Sequence, residues 1–422
     1  MRIIKLKAGA LQITLFITVV IALLLTLFIV LVHVHKQFSL HTNIIKETLY
    51  NTQRGIDYTL KNEVMLNTPY NVSLNNNNVQ IKRDFWGMFE KVSVKSKLKN
   101  VKIEKTALLG SNLPSNLDRN ALYLKDNNKP LIVAGTTQIQ GTAFLPRLGI
   151  RPGIITSKPY LGSKLIYGNR KLSNDLPPIS NELQSHLKQL FSIEKIYGSD
   201  EFIEHSPSQK LQNSFNDKAK VLYSNQLIDL YDTELTGYIV VYSKTKIVVK
   251  PSSSLKDIIL IAPEIIIKDN VNGRFQAFAT KKITLGKNCL LSYPSAIVLQ
   301  DEETPTNQES STELNNSVAI DKGSMIKGLV MFLGKVAPNN FKPQILISEN
   351  AIVKGEIYCK ENLELKGAVH GSVYTNNFVA TQSGSVYQNH IYNGKILADR
   401  LPKEYVGLTF ENSSKEVLKW LY

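Results

Sequence analysis

The sequence predicts a mainly β protein. An N-terminal transmembrane α-helix continues into a small α+β segment, followed by a parallel β-solenoid with helical and disordered insertions. Three observations carry this. Gly9–Val32 is a charge-free apolar run. A strand-like phrase at Val353–Tyr358 returns at Val369–Tyr374, sixteen residues on. Short apolar runs with glycine between them recur over most of the chain after Leu131. At 422 residues the chain exceeds one compact core, so several units are expected.

The first element is the run "GALQITLFITVVIALLLTLFIVLV". At about 1.5 Å per residue it is long enough to cross a hydrocarbon layer of about 30 Å. The following "HVHKQF" lacks the small-x-small pattern of a signal-peptide cleavage site. Residues 9–34 therefore read as a retained single-pass anchor with the lipid bilayer as partner, and 1–8 as a basic cytoplasmic tail. Arg2, Lys5 and Lys7 precede the span; Lys36 and Lys46 follow it. That bias places the tail inside and the bulk of the chain outside, which in a bacterium means an inner-membrane protein with a periplasmic domain. The threonines in the span are expected to bond to their own helix carbonyls.

The helix is expected to run on. Phe38, Ile45, Leu49, Ile56, Leu60 and Val64 recur at helical spacing and predict an apolar stripe packed on a small domain. Residues 35–130 are assigned to that amphipathic helix plus a small α+β domain, with alternating strands at "KVSVKSKL" (91–98) and "VKIEKTALL" (101–109). The leader "KLKAG", followed by an apolar helix that turns amphipathic, resembles the N-terminus of type IV pilins and pseudopilins, most closely the minor, tip-located kind. That resemblance implies membrane anchoring and assembly with protein partners in a pilus or secretion apparatus. The glutamate usual at the fifth mature position is absent: Ile13 or Thr14 stands there, depending on the cleavage point.

Residues 131–175 form a first glycine-rich β segment, with glycines at 135, 141, 149, 153, 162 and 168. Residues 176–222 interrupt it with helical periodicity at Leu183, Leu187, Leu190 and Ile193, read as a helical insertion, an arm or lid. Residues 223–300 resume the solenoid, and 301–316 form an acidic disordered loop. Residues 317–398 carry repeats of sixteen to eighteen residues, and 399–422 a cap whose "KEVLKWLY" is expected to be helical.

A repeat this short suits one coil of a parallel solenoid, with strands stacked about 4.8 Å apart. Val353, Val369 and Tyr387 are expected in one inward column and Ile357, Val373 and Ile391 in another. Gly355, Gly371 and Asn389 are expected in a bend column, where positive φ is needed at low cost. Ile326–Val330 and Ile139-Gln140-Gly141 echo the phrase upstream. "ISENAIVKGEIY" and "LELKGAVHGSVY" resemble the polymer-forming solenoid proteins called bactofilins. This implies a structural role, self-assembly, and no bound nucleotide or metal.

The chemistry-bearing residues point the same way. The seven histidines show no metal-ligand spacing with a carboxylate partner, and the chain has no Gly-x-Ser-x-Gly motif or Walker loop. Acidic residues on the repeats are sparse, among them Glu264, Asp269, Asp321, Glu349 and Glu356, and most are separated by whole coils or lie at bends. No catalytic, metal or cofactor-binding residue and no cofactor are assigned. Net charge is +15, but no Arg/Lys cluster interleaved with aromatics marks a nucleic-acid surface, so no nucleic-acid partner is expected. The favoured role is a membrane-anchored structural or assembly protein. A β-helix protein that binds or cleaves envelope glycan is the alternative.

Overall fold

The computed structural model describes residues 9–74, 77–112, 119–300, 316–335, 340–411 and 413–421. The basic tail 1–8 and the acidic loop 301–315 lie outside the described residues.

Helix α1 spans Gly9–Lys61. Beyond its exposed first half it packs on an antiparallel sheet of β1 (Tyr70–Leu74), β2 (Asn77–Trp86), β3 (Phe89–Leu98) and β4 (Val101–Ser111). The fifth strand comes from the other end of the chain: Lys415–Leu421 pairs antiparallel with β4. The expected helical cap is therefore a strand. Val417 and Trp420 pack on the head's apolar core and Leu421 under the arm described below, and pairing covers the edge that β4 would otherwise expose.

The larger region is a stack of parallel strands, joined by their pairings into a closed, barrel-like sheet. Phe202–Glu204 pairs with Lys220–Ser224, and that strand pairs with Ile239–Ser243. Ser254–Ile267, Asn272–Leu285, Leu290–Leu299, Met325–Phe332, Ile352–Leu365 and Ala368–Gln382 follow, each parallel to the last. At this end of the stack, parallel pairing starts with Phe202, inside the span 176–222 expected to be a helical insertion. Interior positions are apolar and mostly aliphatic, with Ile326, Val353, Val369 and Ile396 all buried in one core.

The stack does not follow chain order. The strand next to Ala368–Gln382 is Asn120–Leu124, with Val373 opposite Leu122. Thr142–Leu145 follows, then Arg170–Leu172. Asn120–Leu124, expected within the small α+β domain of 35–130, and the early glycine-rich segment therefore both extend the late end of the stack. The chain then returns along the outside through α2 (Asn181–Leu190), whose Leu183, Leu187 and Leu190 are buried. They share a second apolar core with outward side chains of the stack, among them Val240, Ile261, Val298, Met331 and Tyr358. The helical arm is packed down rather than standing free as a lid.

The matched repeats pair in register. Ile326, Val353 and Val369 lie opposite one another in successive strands, as do Val330, Ile357 and Val373. Gly328, Gly355 and Gly371 pair likewise, with φ of 142°, 149° and 143°. A Cβ on Gly355 would lie 2.0 Å from the Gly328 oxygen, and one on Gly371 1.9 Å from the Gly355 oxygen. The bend column thus needs glycine for close backbone approach as well as for dihedral freedom.

The third copy is different. Ser385–Gln388 folds back antiparallel on the end of Ala368–Gln382, through a turn at Ser383 and Gly384, both with positive φ. Tyr387 and Asn389 therefore do not continue the columns of Val369 and Gly371. Asn389 (φ 58°) instead bonds the carbonyls of Lys129 and Pro130 at 3.2 and 2.6 Å. Ile391 lies opposite Val133. The place after Val369 belongs to Ile396, followed by Ile139 of the upstream echo. The third phrase matches in letters, but the positive-φ turn at Ser383-Gly384 folds it back as a hairpin instead of another parallel level.

Candidate functional site

The first element with a functional reading is α1. It is long and apolar enough to cross a membrane, with a mean hydropathy of 3.3 over its most apolar window and no residue of that window buried. Thr14, Thr18 and Thr26 donate to the carbonyls of Leu11, Leu15 and Ala22 at 2.9, 2.9 and 2.8 Å, so their hydroxyls need no outside partner.

The second half of α1 docks on the head through a face the hydropathy pattern missed. The buried positions are Thr48, Asn51, Thr52, Gly55, Ile56 and Thr59. The expected stripe holds only from Ile56 onward: Phe38, Ile45 and Leu49 are exposed, at 69%, 40% and 42%. Close approach decides the face. A Cβ on Gly55 would sit 2.5 Å from Val94 Cγ1, so only small residues let the helix axis come this near the sheet. Thr48, Thr52 and Thr59 bond back to Ile44, Leu49 and Ile56 at 2.6–2.7 Å, which allows hydroxyls to be buried there.

The head is bolted to the stack. The turn between β2 and β3 presses on Gln276, whose side chain accepts from Met88 N (2.7 Å) and donates to Trp86 O (2.9 Å). Trp86 Nε1 donates to Asp257 O at 3.2 Å. Arg274 holds the Asp257 carboxylate with two bonds of 2.7 Å, and Lys419 of the C-terminal strand joins them. On the other side, Arg83 binds Glu90 at 2.8 Å, Val64 O at 2.8 Å and Glu182 of the arm, while Lys415 reaches Glu90 at 2.7 Å. Burial alone would raise the Glu90 carboxyl, but Arg83 and Lys415 outweigh it and hold it below its ordinary value.

Between β2, β3, the arm and the early stack lies a cleft of about 960 Å³ lined in part by Lys82, Asp84, Phe85, His186, Tyr197 and Tyr238. Lys91 donates to the Tyr238 hydroxyl at 2.8 Å and pairs with Asp84 at 3.4 Å. Burial raises Asp84 against the pull of Lys91 and lowers Lys91 against that of Asp84. Burial also drives His186 down to about 4, leaving a neutral imidazole stacked on Phe85 at 4.8 Å. These groups lie far apart in sequence, and no local motif marks them; they hold head, arm and stack together.

The acidic residues singled out on the repeats are each engaged structurally. Glu264 pairs with Lys246 at 3.2 Å and Glu349 with Lys322 at 3.1 Å. Asp269 and Asp321 accept from the backbone amides of Lys287 and Lys322. Glu356 is buried, accepts from Leu408 N at 2.7 Å and meets Arg119 at 3.5 Å. Cys289 and Cys359 are buried free thiols, and burial pushes Cys359 up to about 12. Among the described residues no three His, Cys, Asp or Glu side chains are grouped to hold a metal ion.

No family model and no curated protein matches this chain. Among solved structures, the competence-associated pilin ComZ from Thermus thermophilus is similar at 9% identity, covering 90% of this chain and 96% of that one with a TM-score of 0.25. A score that low carries no argument by itself; the long N-terminal helix seated on an antiparallel head is an observation on this chain.

Proposed function

We propose that this protein is a membrane-anchored, pilin-like assembly component that presents a rigid β-solenoid outside the membrane. The observation that carries the reading is the division of α1: an exposed apolar half long enough to span a bilayer, and a half docked on a head that is itself bolted to the stack. A load on the stack would pass through Gln276, Asp257 and the C-terminal strand into the helix. The solenoid reading is supported by parallel pairing at offsets of sixteen to twenty residues, with two or three short strands to a level. The charge bias around α1 supports a cytoplasmic tail and a periplasmic bulk. The role is binding and scaffolding without catalysis, consistent with the structural engagement of the repeat carboxylates. The bactofilin-like phrases supply the stack's period, but its late end is extended by residues 120–172 and its outer face is covered by the arm, so end-to-end polymerisation is not part of the reading.

Two measurements test this. In membrane fractionation, the wild type should pellet and resist carbonate extraction, whereas Ile21→Arg with Leu24→Arg should release the protein, each arginine costing about 3 kcal/mol at the span's centre. A wild type fully soluble without detergent would end the anchor reading. N-terminal sequencing after expression with a prepilin peptidase separates pilin-like processing from a simple anchor: cleavage next to Gly9 supports the former, and an intact Met1 removes it.

A further inference from the structure

A groove of about 940 Å³ runs where the late corner of the stack meets the hairpin of Ile154–Ile155 and Lys158–Pro159. Its walls bring Lys158, Lys366, Lys395 and Arg400 together with His370, against the single carboxylate of Glu349. Glu349 is already paired with Lys322, and Lys366 with Glu364. Lys158, Lys395 and Arg400 are exposed and make no ion pair among the described residues. Positive charge continues past the groove, because Lys327 and Lys354 lie side by side on the two strands before the one that carries His370, about 4.8 Å from one strand to the next.

We infer that this groove binds a single strand of an acidic glycan, its carboxylates or phosphates meeting Lys158, Lys395 and Arg400 while the sugar rings lie along the partly exposed Ile352 and Ala368. The shape and the chemistry choose this class. The volume admits a few sugar units but not a duplex. No Phe, Tyr or Trp is among the lining residues, so the stacking platform that single-stranded nucleic acid uses is missing. Gly135, Gly367 and Ala368 are among the lining residues, so part of the wall is backbone and small side chain. The field is felt locally. Burial lowers His370 first, and the positive charges of Arg400 and Lys354 lower it further against the opposing Asp399, which is itself bonded to Gln140 at 2.7 Å. A bound polyanion would offset those charges and raise His370.

The test uses full-length protein in detergent with a labelled oligogalacturonate. Its methyl ester, which keeps the sugars and removes the charge, and single-stranded DNA of similar length are the comparators. Binding to the oligogalacturonate is expected, weakening with salt and falling at least about tenfold in Lys395→Glu/Arg400→Glu and, on the separate hairpin, in Lys158→Glu. Lys395→Gln should fall less, and thermal midpoints should be unchanged because these side chains are exposed. Saturation should move the His370 titration upward. Equal binding of the methyl ester, unaltered affinity in both charge reversals, tighter binding of DNA than of oligogalacturonate, or no binding at all would each overturn the assignment. None of these results would alter the fractionation outcome on which the anchor reading stands.

Discussion

The head and the stack pair their strands by opposite means. The head is a short antiparallel sheet whose last strand arrives from the far end of the chain. It has a small apolar core of its own, and charges tie it to its neighbours: Arg83, Glu90, Glu182 and Lys415 on one side, Lys419 with Asp257 and Arg274 of the stack on the other. The stack's interior core is apolar among the described residues, mostly aliphatic with Phe275, Phe332 and Phe378, and it is closed by glycine corners. The head should therefore respond to pH and charge substitution, and the stack to a single added or removed methyl group.

The largest expected effect breaks the stack. Gly371→Val drives a Cβ into the Gly355 carbonyl at a positive φ, and strain with overpacking should cost about 4 kcal/mol. Thermal unfolding checks this; a loss under about 1 kcal/mol would show that the corner can open. Next, Arg83→Met leaves Glu90 buried with only Lys415 and should cost about 3 kcal/mol. Hydrogen exchange should place that loss in the head and spare the amides of Ile352–Leu365; uniform loss would merge the two regions.

A third prediction concerns pH. His186 titrates at about 4 in the folded chain and at about 6.5 unfolded. The unfolded chain therefore binds the extra proton first, and stability falls as pH drops from about 6.5 toward 4, by up to roughly 3 kcal/mol. Glu90, held low, adds to the loss below that window, whereas Asp84 and Glu356, held high by burial, oppose it. Subtraction is therefore required: His186→Phe should flatten the slope between pH 6.5 and 4 relative to wild type, and parallel curves would reject the role of the imidazole. The smallest effect separates true repeats from the false one. Val373→Ala, in the core, should cost about 2 kcal/mol, and Val386→Ala, 45% exposed in the hairpin, less than about 0.5 kcal/mol.

Much of this fold was legible in the letters. The apolar run, the sixteen-residue offset and the buried face of α2 are periodicities, and a period requires only neighbours along the chain. The face of α1 was misread because hydropathy favours large apolar side chains, whereas contact at Gly55 rewards small ones. Tyr387, Asn389 and Ile391 were misplaced because a hairpin and another coil compete for the same phrase, and Ser383-Gly384 tips the balance. The cleft residues Asp84, Lys91, His186 and Tyr238 and the groove residues Lys158, Lys395 and Arg400 carried no local signal.

Hydrophobic length set the exposed apolar half of α1, and recurring glycine set the corners, because each depends on a few residues in a row. Which segment lies on which was decided in three dimensions. A parallel stack ends in open backbone groups that any strand of compatible register can satisfy. Residues 120–172 took that place beside Ala368–Gln382, and Lys415–Leu421 took the one beside β4. Pairing of this kind is indifferent to separation along the chain, so the order of the levels and the positive groove beside them arose only when the chain closed on itself.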